Sequence, residues 1–235
     1  LKFDGKLILQ MQGDGPVSML VADFGANGDL RATASFAPEQ RETIARAQGA
    51  ELHYLLAKGH MAMTIDQGPE MERYQGVTAL EGPDIATATV KYFDQSEQIP
   101  TAIRLAVGRV EIPGQAPQWR AGGIMVQFMP GEGGKRERGH AELQRESDRE
   151  DWDNAAALLA TTHADELIDP TVSAEELLFR LYHENGVRVF DQRPVQFACG
   201  CSREKVANVL SRYEEEDLAD MRNEDGNIVV TCDFC

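Results

Sequence analysis

The chain has 235 residues, 42% of them hydrophobic, and sets 39 Asp+Glu against 23 Lys+Arg for a net charge of −16. That length allows one large domain, or one domain plus a small module. The acidity argues against general nucleic-acid binding, which needs clustered Lys and Arg, and no apolar run approaches the ~18 residues of a membrane-spanning helix.

The opening Leu1-Lys2-Phe3-Asp4-Gly5 leads straight into strand-like sequence without a signal-peptide pattern. The lack of an initial Met and the stop on Cys235 suggest a chain cut at both ends. Residues 6–12, 17–23 and 30–36 read as three strands of a β-meander, punctuated by Gly13-Asp14-Gly15-Pro16 and Gly25-Ala26-Asn27-Gly28-Asp29. Residues 38–49 are polar and irregular with some helical character, and 51–58 predict one or two helical turns stopped by Gly59. Strands follow over 61–65 and 74–80, joined around Gly68-Pro69. Asp84 is an expected N-cap for a helix through Ile85, Ala88, Tyr92 and Phe93, ending before Pro100. Residues 101–112 and 119–129 complete a mostly antiparallel α+β domain that ends near Pro130.

Beyond it the composition changes. Gly131-Glu132-Gly133-Gly134 is a linker signal, and 135–153 is dense in charges of both signs, the pattern of a solvated helix or of disorder. Trp152, Ala156, Leu159 and His163 predict a weak amphipathic helix broken at Asp169-Pro170. Ser173 opens a capping box with Glu176, followed by a helix carrying Leu177, Leu178, Leu181 and Tyr182. Asn185-Gly186 ends it, and 187–190 reads as a short strand.

The only four cysteines fall in two tight pairs near the end: Cys199-Gly200-Cys201 and Cys232-Asp233-Phe234-Cys235, with 30 residues between. Four thiolates at about 2.3 Å satisfy tetrahedral zinc, and free pairs without a disulfide framework fit a reducing compartment. The alternative is four small buried hydrophobes, but two pairs with no singleton favour a metal site. Between the pairs, Ser202 is an expected N-cap for a helix through Val206, Val209, Leu210 and Tyr213. A short helix through Leu218 and Met221, a turn at 224–227 and a strand over 228–231 then return the chain to Cys232. So short a module cannot build an adequate core alone, so bound metal supplies much of its folding energy. Because metal-bound thiols are thiolates, the form an oxidant attacks, the site is also a switch in principle.

No catalytic constellation stands out. Gly13-x-Gly15 lacks the third glycine and following helix of a dinucleotide loop, and His53, His60, His140, His163 and His183 are scattered. A four-thiolate shell leaves no open position for a catalytic zinc.

Taken together, several stretches resemble the redox-regulated holdase chaperones of the thirty-three-kilodalton heat-shock protein family. They are Leu1 to Gly5, Gln10-Met11-Gln12-Gly13-Asp14-Gly15-Pro16, Glu72-Arg73-Tyr74-Gln75-Gly76-Val77, Leu80-Glu81-Gly82, Tyr92-Phe93, Ser96-Glu97-Gln98-Ile99-Pro100-Thr101, Ala121-Gly122-Gly123, Arg180-Leu181-Tyr182-His183-Glu184 and Phe197-x-Cys199-x-Cys201-Ser202-Arg203-Glu204, with Cys232-Asp233-Phe234-Cys235 as the second cysteine half. The family has further residues before the position of Leu1 and after the last cysteine, and its linker is less charged than 131–151 here. The resemblance implies a cytoplasmic, ATP-independent chaperone and no enzyme. It implies a core domain over 1–130, a metastable helical linker over 131–196 and a zinc redox-switch module over 197–235. In the reduced, inactive state one zinc ion is held by Cys199, Cys201, Cys232 and Cys235. Oxidation forms Cys199–Cys201 and Cys232–Cys235, releases zinc and unfolds switch and linker, so that unfolding client proteins bind, with a homodimer as the active form. A constitutive binding module with a purely structural zinc remains the competing reading.

Overall fold

The computed structural model describes residues 5–47, 51–68, 71–129 and 141–235, with side chains described from residue 147 onward in the helix that begins at 141. The linker signal at 131–134, the end of the core near Pro130 and His140 lie outside the described residues.

Alternating apolar residues and tight turns build the first sheet. Strands β1 (Lys6–Gly13), β2 (Met19–Gly25) and β3 (Asp29–Ser35) form the expected antiparallel meander. A polar stretch follows, with a 3-10 turn at Pro38–Gln40 and a short helix α1 (Arg41–Arg46). The single-turn helix α2 (Leu52–Leu56) leads into β4 (Gly59–Asp66) and β5 (Tyr74–Ala79), which add antiparallel strands on the other side of β1. The core lies where α2 and α3 (Ile85–Tyr92) cover this sheet: Met11, Val17, Leu52, Leu56, Met61, Ala88 and Tyr92 are all buried. Asp84 caps α3 as expected, its carboxylate accepting the Thr87 N–H at 2.7 Å. The chain then winds through a π turn, Phe93–Glu97, and both Tyr74 and Tyr92 donate to Glu97 Oε1, at 2.9 and 3.1 Å.

Strands β6 (Thr101–Val110) and β7 (Gln118–Gln127) form a separate antiparallel hairpin. Helices α4 (Ala141–Ala160) and α5 (Ala164–Ile168) rest on one face of it. Arg104 donates to the Ala160 carbonyl at 2.7 Å, Ile168 packs over Gly108, and the Leu167 carbonyl sits where a Cβ on Gly122 would be. Helix α6 (Ala174–Tyr182) closes against α4, with the Tyr182 hydroxyl on the Ala155 carbonyl at 3.1 Å. Ser173 accepts the Glu176 N–H at 3.1 Å, so the cap is in place.

Of the two alternatives for the charged segment the helix is the one seen: its described part, from 141, runs on into the apolar stretch as a single helix, α4, because no Gly or Pro interrupts 141–160. Two expectations need correction. That helix stops at Ala160 rather than at Asp169-Pro170: Thr161 and Thr162 turn the chain, and the Glu166 side chain accepts the His163 N–H at 2.9 Å to start α5. Residues 187–190 form no strand; Val189 and Phe190 are exposed, with no strand among the described residues paired to them. The short strand instead comes later, at β8 (Gln196–Phe197), which joins the edge of the first sheet in parallel with β3. The sheet order is thus β5-β4-β1-β2-β3-β8. The result is a mixed α+β fold on an antiparallel core, ending in the four cysteines.

Candidate metal centre

Strand β8 delivers the first cysteine pair. Its pairing is short: Gln196 N–H donates to the Gly28 carbonyl at 3.0 Å and Ala198 N–H to the Leu30 carbonyl at 3.2 Å. Gly28, at φ +91°, lets the lead-in approach, since a Cβ there would collide with the Pro194 carbonyl. Cys199 and Cys201 follow immediately. Ser202 then caps helix α7 (Arg203–Leu210), accepting the Lys205 N–H at 3.2 Å, while Lys205 Nζ reaches back to the Gly200 carbonyl at 2.5 Å. The Val206, Val209, Leu210 and Tyr213 stripe faces Met221 and Val230 around a shallow apolar hollow. Helix α8 (Glu215–Asp220) leads to a turn in which Asn223 Oδ1 accepts the N–H groups of Asp225 and Asn227. The expected strand over 228–231 is reduced to one isolated bridge, Arg222 with Ile228. It has no longer partner to lie against, and Val229 and Val230 stay exposed. No residue from 191 to 235 is fully buried.

The two cysteine pairs nevertheless converge. All four Sγ atoms lie within 4.8 Å of one another. The contacts across the pairs are short: Cys199 to Cys232 at 3.5 Å and Cys201 to Cys235 at 3.4 Å. A tetrahedral metal–sulfur bond of 2.3 Å sets sulfur–sulfur edges of about 3.8 Å. The four side chains therefore fit a metal ion without rearrangement of the loops.

Electrostatics point the same way. Cys199 is pulled down to about 6 by the Cys201 backbone N–H, then by the Cys201 and Cys232 side chains, with a smaller contribution from Arg31. Cys235 is pushed up to about 12 by Cys201, then Cys199 and Cys232. One thiolate forms easily and discourages its neighbours, because like charges this close oppose each other. A divalent cation removes that conflict and lets all four ionise.

Arg31 of β3 belongs to this centre, and the sequence did not single it out. Its Nη1 donates to Cys199 Sγ at 3.6 Å, and its guanidinium carbon stands 4.1 Å from the Phe234 ring centroid. Thr33, two residues along, donates to the Asp233 carbonyl at 2.7 Å. The 2-residue period of a strand puts Asp29, Arg31 and Thr33 on one face, but nothing local shows that 199–234 lies above them. Among the described residues the histidines stay apart from the cluster. His53 pairs with Glu51, His163 starts α5 and His183 lies against Phe179.

The whole chain, residues 1–235, matches the family model described as Hsp33 protein. It is similar to the 33 kDa chaperonin of Caulobacter vibrioides, 44% identical over 238 residues, covering 100% of this chain and 74% of the relative. It is similar to the 33 kDa chaperonin of Escherichia coli K12, 37% identical over 235 residues, covering 100% of this chain and 71% of the relative. Among solved structures it resembles the 33 kDa chaperonin (heat shock protein 33 homolog) of Thermotoga maritima, with a TM-score of 0.72 at 20% identity, over 100% of this chain and 73% of that one. With its four cysteines gathered at one point and its relatives named chaperonins, the chain belongs to the Hsp33 family.

Proposed function

We propose that the protein is an ATP-independent holdase, switched by oxidation of the four-cysteine centre. In the reduced state Cys199, Cys201, Cys232 and Cys235 hold one zinc ion, which keeps their thiols ionised and supplies folding free energy, ~10–16 kcal/mol in zinc-finger peptides. The observation that carries the proposal is the convergence of four sulfurs in a module without a single fully buried residue. Such a module has too little apolar burial to stay folded once its sulfurs are withdrawn.

Hydrogen peroxide, taken as the oxidant, supplies the two electron-pair acceptances the four thiols need. A cysteine thiolate attacks the O–O bond, giving a sulfenic acid and releasing the first water once the leaving hydroxide takes up a proton. The paired thiol then attacks that sulfur, closing the disulfide and releasing the second water. Each disulfide removes two electrons from the protein and reduces one peroxide. Two peroxides convert the four thiols to Cys199–Cys201 and Cys232–Cys235, the pairing that the family resemblance supports. Close sulfur contacts of 3.5 and 3.4 Å also run between the pairs, so peptide mapping of the oxidised protein is the direct check on that assignment.

The consequence reaches the linker. Helices α4 and α5 cover one face of the β6–β7 hairpin, while Leu105, Val107, Trp119 and Met125 on its other face are already exposed. When the module and then α4–α5 loosen, both faces of the hairpin become open apolar surface, the usual mark of a protein-interaction site. Unfolding clients bind there, the active form being a homodimer in the cytoplasm, with no chemical reaction on the client. The core is 1–130, the linker 131–196 and the switch module 197–235. Light scattering of a heat-unfolding enzyme tests this: the oxidised protein suppresses aggregation without ATP and the reduced, zinc-loaded protein does not. Equal suppression by both leaves a constitutive binding module with a structural zinc.

A further inference from the structure

One face of β3 contacts both cysteine pairs of the module and the residue that leads into it. Asp29 Oδ1 accepts from Gln196 Nε2 at 3.0 Å, ahead of the first pair. Arg31 reaches Cys199 of the first pair and Phe234 inside the second. Thr33 bonds the carbonyl of Asp233. Arg31 does not hang free. Directly across the sheet on β2, Asp23, only 9% exposed, takes its Nη2 at 2.6 Å and its Nε at 2.8 Å. A guanidinium held on one edge by a carboxylate still aims N–H groups in fixed directions and offers a flat face, whereas a lysine ammonium has donors but no fork and no face to stack.

We propose that Arg31, fixed by Asp23, is a positioning residue that latches the four-cysteine module onto the edge of the first sheet and sets how readily the module gives up its metal. Two physical effects act together. The N–H donated to Cys199 Sγ draws charge from that sulfur, and the stack on Phe234 ties the second cysteine pair to the same group. A module with no buried residue of its own depends on such contacts, so the latch couples the core to the switch. Without it the cysteines still meet, but the module rides loosely beside β3, and its sulfurs open to chelator and oxidant more often. The proposal rests on the zinc-holding part of the function proposed above, not on its redox part.

The test uses the whole chain loaded with zinc. Asp23→Leu with Arg31→Met replaces the pair by apolar groups of similar size and leaves no orphaned charge. Both zinc loss to a chelator and amide exchange over 28–34 are followed. Hydrogen bonds to charged groups are worth enough to predict roughly ten- to hundred-fold faster zinc loss and faster exchange in β3, at unchanged zinc stoichiometry. Arg31→Lys, keeping the charge but not the fork, falls between the two. Zinc loss and β3 exchange equal to those of the parent chain overturn the latch. If the double variant fails to fold, Arg31→Lys decides the question by the same two readouts, and parent-like zinc loss and β3 exchange in it overturn the latch. A peroxide arm separates the two ideas. A parent chain that keeps its zinc under peroxide refutes the redox switch, while faster chelator loss in the variants still establishes the latch.

Discussion

At Gly122 the linker's α5 lies directly against the core hairpin, and Gly122→Ala should loosen that contact alone. The backbone of Gly122 is ordinary strand, with no positive φ, so alanine is conformationally acceptable there. In a strand alanine is even slightly better than glycine, which packs no side chain. The obstacle is the Leu167 carbonyl of α5, which occupies the space of the new methyl and is backbone that cannot swing aside. Overpacking of this kind costs typically 1–3 kcal/mol. Because the strain is relieved when α5 lifts away, it translates to a linker open about 5- to 150-fold more often. Hydrogen exchange read by peptide should show that acceleration over 152–168 and none over β1 and β2. The reduced variant should also suppress some client aggregation that the parent does not. The neighbouring Gly123→Ala is the control, since its Cβ meets the tip of the half-exposed Leu105 side chain, which can turn outward. Exchange over 152–168 unchanged in Gly122→Ala, or accelerated equally in Gly123→Ala, would refute the reasoning.

Three further outcomes follow from the same structure. Cys201→Ser combined with Cys235→Ser leaves two thiolates and should abolish stoichiometric tight zinc binding, measured by metal content after gel filtration; full retention would remove the site. Leu56→Ala opens a cavity at a side chain with 0% exposure, under the β1–β2 turn. It should cost 2–5 kcal/mol in denaturant unfolding of the core, without changing zinc stoichiometry. Asp84→Ala removes the 2.7 Å bond to Thr87 N–H and should lower stability by about 1 kcal/mol, a shift of about 2–4 °C in Tm by calorimetry.

The parts of this fold that could be read from sequence are those with local causes. The meander follows from alternation and Gly-rich turns, and the helices after Asp84, Ser173 and Ser202 follow from caps whose bonds are all formed. The four cysteines were legible because their spacing already implies one point in space. What failed or was missed depends on partners far along the chain. Residues 187–190 and 228–231 have strand-like composition but no partner strand among the described residues, and composition cannot supply one. Strand β8 exists because β3 has a free edge 167 positions away, which pairs Asp29 with Gln196. Arg31 looks like an ordinary polar residue of an alternating strand until the fold sets Cys199 and Phe234 beside it.

The central claim is that metal loss, thiol oxidation and client binding are one event. It is tested most directly by titrating the reduced, zinc-loaded chain with peroxide and measuring, on the same aliquots, released zinc, remaining free thiols and suppression of client aggregation. The account predicts that one zinc leaves as four thiols disappear, and that suppression rises along the same curve. Suppression already complete while zinc and all four thiols are retained, or zinc fully released with no suppression gained, would contradict it.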